Sequence, residues 1–228
     1  MDRYIFDRKL RLLLLDAIER IEVAIRSSLS NSIALEHGSH WYLNGGIFQE
    51  EFNHDSFISE LRRQIGHNGN NQNHIRRRTK SIKHYYDNYN NPDMPPSWVV
   101  FEEVSFGLIS RLFEGLYKSE TVHIRADYKI SHDVFSSWLH SISYIRNLCA
   151  HHSRLWNKTL VTKPKIAKYY ADKFNGNSKI YSVIVVIQII LEKISPDNTL
   201  LARLKDLLAK YPETPIAEMG FPENWVDS

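Results

Sequence analysis

The sequence predicts an all-α helical bundle, and three observations carry that expectation. Apolar residues recur at three- and four-residue spacing from about residue 5 to 35, with no Gly or Pro before Gly38. The same period resumes after each Gly-, Pro- or Asn-rich break. The one aliphatic run that periodicity leaves open, residues 180–191, stands among stretches that all read as helix.

In the first helix Leu10, Leu14, Ala17, Ile21, Ala24 and Leu29 make the apolar face. Asp16 with Arg20 and Glu22 with Arg26 are acid-before-base pairs at four-residue spacing on the other side, which support a helix. Gly45-Gly46 breaks the chain before a shorter helix at about 52–65. The polar, Asn-rich stretch 66–74 reads as an exposed loop. It runs into a basic segment containing Arg76, Arg77, Arg78, Lys80 and Lys83, followed by Tyr85, Tyr86 and Tyr89. After Pro92, Pro95 and Pro96, a helical pattern resumes at Trp98, with Val99, Phe101, Val104, Leu108, Leu112 and Leu116 as core positions. Gly107 within it marks either a close helix contact or a break.

A helix is expected at about 132–152 with Val134, Trp138, Ile142, Ile145 and Cys149 on its apolar face. The β-branched run Ile180–Leu191 spans 12 residues, too few for a bilayer, which takes roughly 20. It is therefore expected as a buried helix. Residues 200–211 form one more amphipathic helix, and residues 212–228 read as an extended, Pro-punctuated tail. No internal repeat and no second core is evident, so residues 1–211 are expected to form one helical domain.

Composition narrows the function classes. At 43% hydrophobic and 24% charged residues the chain is globular rather than disordered. A formal charge of +3 excludes a uniformly basic nucleic-acid coat and leaves room for a local basic patch. One cysteine, Cys149, allows no internal disulfide and points to a reducing compartment. The charged N-terminus lacks a secretory h-region, so a cytoplasmic location without a membrane partner is expected. Histidine is abundant, with 11 residues, and His151 and His152 are adjacent.

The chemistry concentrates in Arg146-Asn147-Leu148-Cys149-Ala150-His151-His152-Ser153-Arg154-Leu155-Trp156-Asn157. On a continuing helix His140, Ser143, Asn147, His151 and Arg154 would form one polar stripe. That stripe is either a solvated face or a site, since it joins an imidazole, a permanent cation and an amide, the groups that hold a phosphate and move a proton. Arg146 lies about 140° around an ideal helix from His151, so the two cannot stack on one straight helix. Either the helix ends before His151 or a second copy of the chain completes the site, which favours a composite site at a dimer interface.

Other readings attach to single residues. His151, His152 and His140 could be weighed as zinc ligands, but no acidic residue lies in the motif and adjacent helical histidines diverge. His152 falls near the apolar face and is expected to be packed and hydrogen-bonded; Cys149 is expected in the core. The basic segment is either an RNA-binding surface, with cations on phosphates and rings on bases, or a solvated helix start with its aromatics turned inward. Trp98, Trp138 and Trp156 are expected in the core or at a dimer interface.

The Arg146-to-His151 spacing resembles the signature of the HEPN superfamily, and the fuller Arg-Asn-x-x-Ala-His-His-x-x-x-Trp-Asn form resembles that of the Abi-like, abortive-infection family. Phe6-Asp7-Arg8-Lys9-Leu10-Arg11, Arg20-Ile21-Glu22-Val23-Ala24-Ile25-Arg26, Pro96-Ser97-Trp98, Glu102-Glu103-Val104-Ser105-Phe106-Gly107 and the ending Met219-Gly220-Phe221-Pro222 agree with it in order. The resemblance spans nearly the whole chain, although family members usually carry several dozen residues upstream of the Phe-Asp-Arg segment. It implies a HEPN-like bundle with additional helices that dimerises around the motif helix. It also implies metal-independent RNA cleavage in phage defence or a toxin–antitoxin pair, with no cofactor. Arg146 and His151 would be the catalytic pair and Asn147 the polar position beside the arginine. Arg76, Arg77, Arg78, Lys80, Lys83 and Arg154 are the expected RNA contacts. An antitoxin partner is expected, because an ungoverned ribonuclease would poison its host. A dimer that binds a regulatory RNA without cutting it, or a helical signalling dimer, are the rival expectations.

Overall fold

A computed structural model describes residues 2–67, 78–89, 91–223 and 225. Their order is α1 (Asp2–His37), α2 (His54–Gln64), α3 (Lys80–Asn88), α4 (Ser97–Glu103), α5 (Phe106–Gly115), α6 (Val122–Arg125), α7 (His132–Ala150), α8 (Ile180–Ile194) and α9 (Leu200–Lys210), joined by short 3-10 turns. Among the described residues there is no strand, and an isolated bridge pairs Phe48 with Leu116. The fold class is all-α. No helix among them is long and apolar enough to cross a membrane.

The chain divides into two compact units. The first comprises Met1–Val23 with Arg125–Ser228, and the second Ala24–Ile124.

In the first unit the N-terminal part of α1 buries Phe6, Leu10, Leu14 and Ile18. α7 starts at Ser131, whose hydroxyl accepts the Val134 N–H at 3.3 Å, with Asp133 in the first turn. Its Phe135, Trp138, Ile142 and Ile145 are fully buried, and it packs on α8. The indole of Trp138 donates to the Lys165 carbonyl at 2.9 Å, so its polar end is satisfied within the core. α8 is the buried helix expected: Ile180 to Ile187 are all buried, an all-round apolar surface that period alone could not assign. The tail departs from expectation. Residues 216–219 form a 3-10 turn and Met219, Phe221 and Trp225 are buried, with Phe221 packed against Tyr181 of α8 and against Trp225. Aromatic area, rather than proline spacing, sets the path of that segment.

In the second unit Trp41, Tyr42 and Phe101 form an aromatic cluster with centroids 5.4–6.3 Å apart. The Tyr42 hydroxyl donates to the Pro95 carbonyl at 2.6 Å, and burial pushes its pKa up. The pattern beginning at Trp98 is two helices rather than one. They part at Val104–Ser105, where Ser105 caps α5, and not at Gly107. The close contact belongs to Gly115, where a methyl group would strike the Phe52 ring. Trp98, expected in the core or at a dimer interface, is 48% exposed and so lies outside the core of the unit.

Candidate functional site

α7 ends inside the motif. The Ser153 N–H reaches the Leu148 carbonyl at 2.9 Å and the His152 N–H the Cys149 carbonyl at 3.2 Å, the paired bonds of a Schellman termination. His151 is the C-cap, and His152 occupies the left-handed position with φ 55°, where glycine is the usual residue. His152 is therefore exposed rather than packed, because the turn swings it out of the helical register. Replacing it with Gly is expected to raise stability by about 1 kcal/mol in urea unfolding, since the left-handed conformation disfavours a Cβ.

The early stop also shortens the expected polar stripe. Ser143 is buried and His140 half-buried, while Asn147 and His151 are exposed on the last turn. Arg154 is exposed beyond the helix end. Arg146 leaves in another direction. Its Nε donates to Glu22 Oε1 of α1 at 3.2 Å, with the arginine side chain 42% exposed and the glutamate nearly buried. Among the described residues no hydrogen bond joins Arg146 to His151, as the 140° separation anticipates, and none orients the His151 ring.

The segment after the helix is held from α1. Asp7 Oδ1 accepts the N–H groups of Leu155 at 2.9 Å and of Trp156 at 2.8 Å. Its other oxygen takes the Arg11 guanidinium, one helical turn along, and Arg11 also reaches the Ser153 carbonyl at 3.4 Å. Both side chains are buried, so this is an ion pair whose members depend on each other and on the backbone they hold. Trp156 is buried, with the Arg3 guanidinium over its ring at 5.5 Å.

Sequence reasoning passed over Asp7, Arg11 and Glu22. The signal was present for the first two: an acid and a base four apart, interleaved with Phe6, Leu10 and Leu14 on a face that must be buried. Asp16, expected to pair with Arg20, instead meets Arg203 of α9. Both partners are about half exposed, and a pair of that kind contributes little to stability.

Cys149 is in the core as expected. Burial pushes its thiol up to about 12, with Arg11 pulling down and Asp7 pushing up more weakly. The folded protein should therefore resist a thiol reagent at pH 8 and react only on unfolding, which a colorimetric thiol titration with and without urea would check.

The basic segment divides. Arg76 and Arg77 lie outside the described residues. Arg78 is engaged within the second unit: its Nε donates to the Gly66 carbonyl at 3.1 Å and its guanidinium covers the Tyr86 ring at 4.3 Å. Its Nε and one face of its planar head are thus engaged within the unit. Lys80 and Lys83 on α3 are exposed. Tyr85 is buried and bonds the Pro92 carbonyl at 2.6 Å, Tyr86 is half-buried, and Tyr89 stands exposed.

Among the described residues His140, His151 and His152 do not form a group of converging metal-ligand atoms. Glu36, His37 and Glu120 do, in the second unit, with donor atoms within 4.8 Å of one another. His37 Nε2 already bonds Glu120 Oε2 at 2.7 Å.

The family model for Abi-like protein matches residues 1–157. The match runs from the Asp7–Arg11 clamp to the Trp156-Asn157 end of the motif, and leaves α8, α9 and the Met219–Pro222 segment outside it. No curated protein and no solved structure matches the chain. On a match covering most of its length, the chain belongs to the Abi-like protein family.

Proposed function

We propose that this chain is a metal-independent endoribonuclease of a bacterial abortive-infection or toxin–antitoxin defence system, working in the cytoplasm as a homodimer of HEPN type. The observation that carries the reading is the last turn of α7. Asn147 and His151 are exposed there, and Arg146 is half-exposed on a different side of the same turn with its Nε tied to Glu22. Among the described residues no hydrogen bond joins imidazole and guanidinium within the chain, which supports reading the pair as acting across two copies. The exposed Tyr4, Leu12 and Val23 of α1 lie within about 100° of arc with Glu22 at its edge, interleaved with exposed Arg8 and Glu19, a mixed surface on the helix that anchors Arg146.

In such a site His151 takes the 2′-hydroxyl proton while the histidine of the second copy protonates the leaving 5′-oxygen. Arg146, its Nε fixed by Glu22, offers its terminal nitrogens to the phosphorane oxygens, and Asn147 orients the phosphate. The products are a 2′,3′-cyclic phosphate and a 5′-hydroxyl. Arg154, Lys80 and Lys83 supply phosphate contacts, and an antitoxin, RNA or protein, silences the site.

The test is cleavage of single-stranded RNA in EDTA with identification of the product ends. Loss of cleavage in a folded His151→Ala protein supports the assignment, and cleavage that survives it overturns the assignment. One observation favours a second reading, a dimer that binds RNA without cutting it: Arg146 is engaged by an acid and no hydrogen bond orients the His151 ring. Salt-dependent RNA binding without cleavage of any RNA would establish that alternative.

A further inference from the structure

In the second unit, α3 and the segments at 39–40 and 91–99 enclose an open cleft of about 360 Å³, within the roughly 300–1,000 Å³ range of small-ligand sites. Tyr89 and Trp98 line it, and both rings are about half exposed. His40, Ser81, His84 and Asn91 add polar edges. Among the described residues no acidic side chain lines it.

The cleft is braced rather than loose. Tyr85 anchors α3 to the proline segment through the Pro92 carbonyl, and the Tyr89 ring leans on Tyr85 with centroids 5.4 Å apart. The Ser97 N–H donates to the Ser39 carbonyl at 2.8 Å, tying the two loop walls together. His40 is half satisfied: Nδ1 bonds the Ser39 hydroxyl at 2.9 Å, while its buried Nε2 has no partner. Because the tautomer follows the Nδ1 bond, Nε2 is free to give or to take a hydrogen bond.

We infer that this cleft is a base-stacking site for single-stranded RNA, in which Tyr89 and Trp98 take the faces of nucleobases and His40 with Asn91 meets their edges. On α3 the exposed Lys80 stands one turn before the lining His84 and favours a polyanion beside the cleft, with exposed Asp87 near it and Lys83 about 100° further round the helix. Half-exposed aromatic rings are surfaces that stack with any base, and each stacked base is worth roughly 1–3 kcal/mol by alanine substitution. The inference rests on the RNA-directed reading above and names where that RNA is gripped.

The test uses the full chain and a 2′-O-methyl RNA strand of about ten nucleotides, which lacks the nucleophile and is not cut. A strand with the same phosphates but no bases is the control. Trp98 is 48% exposed, whereas Trp41, Trp138, Trp156 and Trp225 are at most 8% exposed, so tryptophan quenching reports on this cleft. Saturable quenching by the base-bearing strand is expected, with clearly weaker binding of the abasic one. By anisotropy, Tyr89→Ala and Trp98→Ala should each weaken binding by about 5- to 100-fold, and Trp98→Phe should retain most of it. Unchanged affinity in a folded Trp98→Ala protein, or equal affinity for the abasic strand, overturns the inference. So does a proline-rich peptide that fills the cleft of a chain to which RNA does not bind. Loss of binding in Trp98→Ala by a chain that cuts no RNA sinks the nuclease reading and leaves the cleft standing. Cleavage with an unchanged KM in Trp98→Ala does the reverse.

Discussion

Replacing Asp7 with alanine is expected to lower the unfolding free energy by about 3–5 kcal/mol, the cost of stripping one member from a buried ion pair. Among the described residues Asp7 is the only carboxylate on buried Arg11, and it accepts the N–H groups of both Leu155 and Trp156. Its loss leaves a buried guanidinium and two buried donors unpaired. Asp7→Asn, which keeps an acceptor oxygen for the backbone, should cost less. The double variant Asp7→Ala/Arg11→Met should recover part of the loss, because an apolar chain then fills the site of the stranded charge. Urea unfolding followed by circular dichroism measures all three. A change below about 1 kcal/mol in Asp7→Ala would show that the clamp does not hold the segment after the motif helix.

The second large effect separates a site within one chain from a site between two. Arg146→Ala and His151→Ala proteins should each lose RNA cleavage by about 10²–10⁴-fold, the usual contribution of a positioned acid–base group. Refolded with an equal amount of wild-type chain, His151→Ala should leave about a quarter of the activity of the same total of wild-type protein, because only a quarter of the dimers keep both histidines. If each chain held a complete site of its own, about half would remain. Size-exclusion chromatography of the mixture, beside the cleavage assay, keeps a failure to assemble distinct from a loss of shared sites.

How much of this was legible depends on the range of the interactions involved. Amphipathic period is a local property, so α1, α2, α7 and α9 could be drawn to within a few residues, and α8 followed from its surroundings. Local cues also set the ends once seen: Ser105 and Ser131 are caps, and residues 148–153 close in a Schellman turn. The split at Val104–Ser105 and the early stop at Ala150 were harder to foresee. Each depends on one capping bond competing with a pattern that would otherwise continue.

The site divides in the same way. The expectation that Arg146, Asn147 and His151 act together was legible from the resemblance of their spacing to the family motif, and the 140° between the first and last was legible from helix geometry. What Arg146 touches was not: Glu22 lies 124 residues away in sequence. The fate of the basic segment was equally non-local. Arg78 is drawn into a stack with Tyr86 and a bond to Gly66, while Lys80 and Lys83 remain in solvent.

By itself, then, the amino-acid sequence determined the all-α class, the places of the long helices and the family. The class and the helices follow from periods of three to four residues, and the family from motifs of fixed spacing and residue type. Only the tertiary structure decided which charges are spent on holding the fold, as Asp7 and Arg11 are, and which face solvent, as His151, Arg154 and Lys80 do. The physical reason is that a charged side chain in the sequence carries no mark of its burial. Desolvation forces it to find a partner only where the chain, folding back from far away, removes the water.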